Sequence, residues 1–112
     1  MKKIEAIIKP ERLEVVHRNL ENAGCSGLMI TEIEGHGKQK GVVQQWRGEK
    51  YKVELVPKVK IEVVVQDKDV ERISRAIIES ARSGGIGDGK IFIYPADDAI
   101  RIRTGERGDI AL

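Results

Sequence analysis

Residues 83–94 read SGGIGDGKIFIY. Gly84, Gly85, Gly87 and Gly89 crowd this stretch, and Lys90 follows them. Glycine permits positive φ and close approach of the backbone to a ligand. Successive N–H groups curled in such a loop form a concavity for anions, and Lys90 puts a compact positive charge at its rim. Gly84, four residues, Gly89 and Lys90 meet the first half of a phosphate-loop pattern, but Ile91 stands where Ser or Thr should hold Mg²⁺. The element order is reversed as well. A phosphate loop runs strand, loop, helix; here a helical pattern precedes the glycines and a strand, Ile91–Tyr94, follows them. The stretch is therefore an anion cradle on another fold, or a helix-to-strand connection closed by glycine.

Upstream, Val70, Ile73, Ile77 and Ala81 form an apolar stripe at helical spacing. Arg72, Arg75, Glu79 and Arg82 make its wet side, and Asp67 is placed to cap it. Before that helix, Val59, Ile61, Val63 and Val65 alternate as a strand whose start, at Pro57, is an edge or a bend. At the N-terminus Ile4, Ala6 and Ile8 share one face of a strand over Lys3–Lys9. Pro10 and Glu11 suit a helix's first turn. Leu13, Val16 and Leu20 continue that helix, with Val15 and Ala23 flanking, and Gly24 ends it. Gly27–Glu34 reads as a second strand. From Gly35 to about Val53 no period is sustained, and loops of that length tend to be functional or disordered. The tail from Ala99 alternates again, so a short fifth strand would set Arg101 and Arg103 on one face, opposite Ile100 and Ile102.

The order β-α-β-β-α-β is the split-βαβ arrangement, an α+β, ferredoxin-like fold. Right-handed crossovers place both helices on one face of a four-stranded antiparallel sheet. The other face, with Ile7 and Ile33, reads as aliphatic enough to pack against further copies of the chain.

The chain has 112 residues, enough for one domain. Charged residues make up 34% and apolar residues 40%, a globular composition. A net charge of +2 gives no argument for nucleic acid. Cys25 is the only cysteine, so no internal disulfide framework exists, and beside Gly24 it reads as packing. No apolar run has the length of a membrane span, and the N-terminus does not read as a signal peptide. These features set an expectation of a cytoplasmic protein. No nucleophile–base pairing or paired-cysteine metal spacing stands out, and His17 and His36 receive no role. Glycine loop and arginine pair together point to a nucleotide, because both answer anionic charge.

These residues lead to a family. The chain resembles the PII nitrogen-regulatory signal-transduction proteins over essentially its whole length. The likeness rests on KKIEAIIKP (2–10), TEIEGHGKQKG (31–41), RGEKYKVELVPKVKIEVVV (47–65), IGDGKIFIY (86–94) and IRIRTGERG (100–108). The resemblance implies a single domain, a homotrimer with its sheets facing inward, and a non-enzymatic role. It implies a T-loop at about 37–55, a B-loop at about 82–90 and a C-terminal loop at about 101–109. Each cleft between subunits is then expected to bind ATP or ADP. Gly87, Asp88, Gly89 and Lys90 would hold the phosphates, and Arg101 and Arg103 would reach them from the neighbouring subunit. Gly37 and Lys38 would approach from the long loop, with Met29 and Val64 at the adenine. Mg²⁺ would bridge ATP and 2-oxoglutarate with Gln39 completing its shell, and Lys58 would pair the 2-oxoglutarate carboxylate. The expected partner is an ammonium transporter whose pore exit Arg47 would block, with nitrogen-assimilation enzymes as further partners. That partner would recruit the protein to the inner face of the membrane. Tyr51 matches a uridylylation target of some members. The chain departs from the family pattern at Met29, where Thr is common, at Lys38, where Arg is frequent, and at Gly85, where Lys is common. Trp46 is unusual beside Arg47.

Two rivals share parts of the pattern. An RNA-binding module of the same topology needs aromatics on its central strands, and VKIEVVVQ has none. A slow ATP-hydrolysing enzyme needs a residue to orient water, and none is evident.

Overall fold

The computed structural model describes residues 1–25, 27–37, 43–46, 49–52 and 54–112. Strand β1 (Lys2–Ile8) leads through a 3-10 turn at Pro10–Arg12 into helix α1 (Leu13–Asn22). Strands β2 (Met29–Gly37), β3 (Val43–Trp46), β4 (Glu49–Lys52) and β5 (Glu54–Val65) follow, then helix α2 (Val70–Ala81) and strand β6 (Lys90–Pro95). The main sheet has the order β2-β5-β1-β6, with every neighbouring pair antiparallel. This is the split-βαβ architecture that the helix–loop–strand reading at residues 70–94 requires.

Period two decides which face is buried. Ile4, Ala6 and Ile8 on β1 lie opposite Val63, Ile61 and Val59 on β5, and all are buried. Val16 and Leu20 of α1 and Ile73, Ile77 and Ala81 of α2 join the same core. Replacing one of the fully buried aliphatics, such as Ile61, by Ala would cost about 2–5 kcal/mol. The helices are tied together by polar contacts at their edges. Asn19 Nδ2 donates to the Ala76 carbonyl at 2.8 Å, and Arg72 bonds the Ala23 carbonyl while its other nitrogen meets Asp69 at 3.0 Å. Val15 remains largely exposed beside the α1 stripe.

The open face is more charged than the sequence suggests. Lys3 lies 2.8 Å from Glu62 and 3.6 Å from Glu5, and Lys60 lies 3.5 Å from Glu62. Lys3 also sits 5.4 Å from the centre of the Tyr94 ring. The expected aliphatic surface is thus interrupted by Lys3 and Glu5 of β1 and Lys60 and Glu62 of β5, which take outward positions beside Ile7 and Val64. The Lys3 ammonium beside it holds the Glu62 carboxyl below the usual carboxylate range.

Three local expectations need correction. The aperiodic stretch after Gly35 is not simply loop: β2 runs to Gly37, β3 and β4 pair as a hairpin, and β5 starts at Glu54. The β2–β5 ladder from Ile33↔Lys58 to Gly37↔Glu54 continues past Ile8↔Val59, the last rung with β1. It leaves the sheet by about 16 Å at a strand's rise per residue. Pro57 sits there, where β5 has β2 on one side only, so its missing N–H costs no ladder bond with β1. Second, Asp67 caps no helix; it forms an ion pair with the N-terminal ammonium at 3.0 Å. Third, the tail is no fifth strand. Ile100 bridges Arg107, and the Gly105 N–H donates to the Arg101 carbonyl at 2.7 Å, so residues 102–104 form a turn. Arg101 and Arg103 therefore do not share a strand face, and Ile102 is fully exposed.

Candidate functional site

The glycine loop is built around one carboxylate. After α2 ends, Asp88 Oδ2 accepts the backbone N–H groups of Ser83 at 2.9 Å and Gly84 at 3.0 Å. Its other oxygen takes the Ser83 hydroxyl and lies 3.2 Å from Lys9 Nζ. These contacts, the Ser83 hydroxyl first, hold the Asp88 carboxyl well below the usual range. Lys9 Nζ also donates to Ser83 Oγ at 3.1 Å, and Lys58 Nζ donates to the Gly87 carbonyl at 2.7 Å. Asp88 thus turns its carboxylate into the loop. Among the described residues no acceptor takes the N–H groups of Ile86, Gly87 or Gly89. Three such donors in four residues, with Lys58 and Lys90 at the rim, are what an anion would use.

The loop has to pass tightly over β1. Gly89 has φ +102°, and a Cβ there would fall onto the Ile7 carbonyl, 2.8 Å from its carbon. Lys90 then enters β6 opposite Ile7. A groove of about 270 Å³ lies beside the loop, lined by Ile7, Ile8, Ile77, Ala81, Asp88 and Lys90. Most of that lining is aliphatic, so the groove itself offers little to an anion.

A second cluster lies at the other end of the sheet. Met29, Val64, Gln66, Arg72 and Leu112 line a cleft of about 580 Å³. The C-terminal segment returns to this end, where the Ala96 N–H donates to the Met1 carbonyl at 3.2 Å. Arg101 is engaged there: its guanidinium bonds Glu106 Oε1 and the Ile110 carbonyl, each at 2.8 Å. Arg103 is exposed. Asp98 closes the same segment by accepting from Arg107, Ala99 and Gly108, which lowers its pKa.

The candidate residues therefore fall into two half-sites. Gly87, Asp88, Gly89, Lys90 and Lys58 stand at one end of the sheet. Met29, Val64, Arg101 and Arg103 stand at the other. From Lys58 to Val64 along β5 is about 20 Å at a strand's rise. One copy does not bring both groups to one small ligand. Gly37 lies on the projecting ladder opposite Glu54, and Tyr51 lies on β4 opposite Gln44. Lys38, Gln39 and Arg47 lie outside the described residues. Lys9, Ser83 and Glu106 were not singled out from sequence, since each acts on a partner that spacing alone does not pair with it. Among the described residues no cluster of His, Cys, Asp or Glu could hold a metal ion by itself. No helix among them is long and apolar enough to cross a membrane.

Fold and loop together define a split-βαβ domain with a glycine turn at one sheet end and a C-terminal segment carrying Arg101 and Arg103 at the other. The family profile "Nitrogen regulatory protein P-II" matches residues 1–106. "Nitrogen regulatory protein P-II 2" of Methanothermobacter thermautotrophicus is 52% identical over 112 residues, covering 100% of this chain and 97% of that protein. Proteins named "Nitrogen regulatory protein P-II" from Haemophilus influenzae and Rhodospirillum rubrum are each 54% identical, with full coverage on both sides. The chain belongs to the nitrogen regulatory protein P-II family.

Proposed function

We propose that this chain is a non-enzymatic, cytoplasmic signal transducer that works as a homotrimer and binds ATP or ADP between neighbouring copies. The separation of its two half-sites along β5 carries this reading. The phosphates lie on the backbone of Gly87–Gly89 and on Lys90 of one copy, and Arg101 and Arg103 reach them from the next. Met29 and Val64 of that neighbour receive the base, and Gly37 and Lys38 approach from the projecting ladder. With Mg²⁺ present, 2-oxoglutarate joins ATP, held by Lys58 and by Gln39 on the metal. Occupancy then sets the shape of the segment at about 37–55, a population shift that partners read. An ammonium transporter blocked by Arg47 is the foremost partner, with transient recruitment to the membrane; nitrogen-assimilation enzymes are others, and Tyr51 is a candidate modification site. A nucleic-acid role draws no support from the sheet, whose central open-face positions include Glu5 and Glu62.

The test is subunit mixing. Lys90→Ala and Arg103→Ala are each expected to weaken ATP binding in homogeneous trimers. When both variants are unfolded and refolded together, clefts that pair the intact loop of one with the intact tail of the other reappear. Calorimetry should then recover a fraction of tight sites. A mixture that binds no better than either variant would refute a site shared between copies.

A further inference from the structure

The cations around the glycine loop are not equivalent. Lys90 is exposed at the rim, whereas Lys9, at the end of β1, points its ammonium at Asp88 and at Ser83 Oγ, 3.2 and 3.1 Å away. Its side chain is only 22% accessible. Asp88 poses an electrostatic problem at this place. A carboxylate beside these free N–H groups repels the anion they would receive. It is tolerated if its charge is neutralised and its oxygens are fully used. Both conditions hold. Ser83 N–H, Gly84 N–H and the Ser83 hydroxyl occupy the oxygens, and Lys9 cancels the charge. The N–H groups of Ile86, Gly87 and Gly89 then have no acceptor among the described residues.

We propose that Lys9 is a positioning residue for phosphate binding: through Asp88 and Ser83 it holds the glycine loop curled and removes the loop's own negative charge, without touching the ligand. This rests on the nucleotide reading above and adds to it a residue from a different element. Among the described residues nothing else that pairs with Asp88 carries a positive charge, so loss of Lys9 leaves that carboxylate without this partner at the cradle. Ser83 links the two, because its hydroxyl donates to Asp88 and accepts from Lys9.

The experiment uses the full chain. Lys9→Met, Lys9→Arg and Ser83→Ala are compared with wild type in calorimetric titrations with ATP and with AMP. Amide hydrogen exchange over residues 82–90 is recorded without ligand. Lys9→Met is expected to weaken ATP about tenfold, the scale of one charge-assisted hydrogen bond, and to leave AMP nearly unchanged. Ser83→Ala should follow in the same direction, and the double variant should lose less than the product of the single losses, because both cut one network. Lys9→Arg should restore most of the affinity. Exchange over 82–90 should accelerate in Lys9→Met before any ligand is added. Wild-type ATP affinity in Lys9→Met overturns the proposal, as does an equal loss for AMP. Unchanged exchange with weakened ATP overturns it too, since that is the behaviour of a lysine in direct contact with phosphate. If wild type takes no ATP, the nucleotide reading fails, and the exchange comparison still decides whether Lys9 holds the loop.

Discussion

Gly89→Ala tests the tightest contact of the candidate site. Two costs can be separated at this position. The first is backbone: φ is +102°, a region L-residues rarely enter, and holding one there costs about 1–3 kcal/mol. The second is steric. A Cβ at Gly89 would sit on the Ile7 carbonyl. Ile7 cannot retreat, because it is paired with Lys60 on one side and Lys90 on the other. The loop must move instead, at about 1–3 kcal/mol for overpacking, and the move strains the first rung of β6. The sum is about 2–6 kcal/mol, a large part of an ordinary domain's stability.

Gly84→Ala supplies the control. Gly84 has φ +86°, but nothing lies within 4 Å of a Cβ placed there. It should lose only the backbone part, about 1–3 kcal/mol. Urea unfolding at one fixed protein concentration reads the difference, since assembly of copies would add a concentration-dependent term. Gly89→Ala should fall below Gly84→Ala by about 1–3 kcal/mol. If the two variants agree within about 0.5 kcal/mol, the close passage of the loop over β1 is not what makes position 89 a glycine.

Two further outcomes follow from the same contacts. Glu106→Gln keeps the shape but removes the charge that shares the Arg101 guanidinium; the pair is about one-third exposed, so stability should change by less than about 1 kcal/mol. ATP affinity, by calorimetry, should rise by up to about fivefold as the guanidinium is released, that is by about 1 kcal/mol, and a fall would show that Glu106 holds Arg101 in place instead. The Asp88 carboxyl has a lowered folded-state pKa, so its contribution is fully present above the unfolded value of 3.8 and is lost as pH falls through the folded value. Urea midpoints should therefore hold from neutral pH to about 4 and drop below that, with a shallower drop in Asp88→Asn; identical acid limbs would dismiss Asp88 as a contributor.

What the sequence disclosed follows from where side chains meet the core. Ile4, Ala6 and Ile8, or Ile73 and Ile77, must face inward, so their periods are visible in the chain. The hairpin of β3 and β4 belongs to a two-stranded sheet separate from the main one, so its register is set by backbone bonds and leaves no alternation to read. The tail deceived for the opposite reason: IRIR alternates by composition, but Gly105 allows the chain to turn back and Ile102 faces solvent. The glycines and Lys90 announced an anion site because local spacing carries that signal. Lys9 and Ser83 did not, since they meet only after β1 and α2 have packed against each other.

The placement of Lys58 ties the glycine loop to the root of the projecting ladder. Lys58 is the first residue of β5 beyond the last rung with β1, Ile8↔Val59. On one side of it β5 is flanked by two strands; on the other it is held by β2 alone. Its ammonium is fixed to the Gly87 carbonyl, so the root of the projecting ladder and the glycine loop share one hydrogen bond. An anion that draws Lys58 away, or an occupant that moves Gly87, changes that bond and with it the restraint at the root. The bond is partly buried and charge-assisted, a class worth about 1.5–3 kcal/mol, which is enough to change a two-state population by tenfold or more.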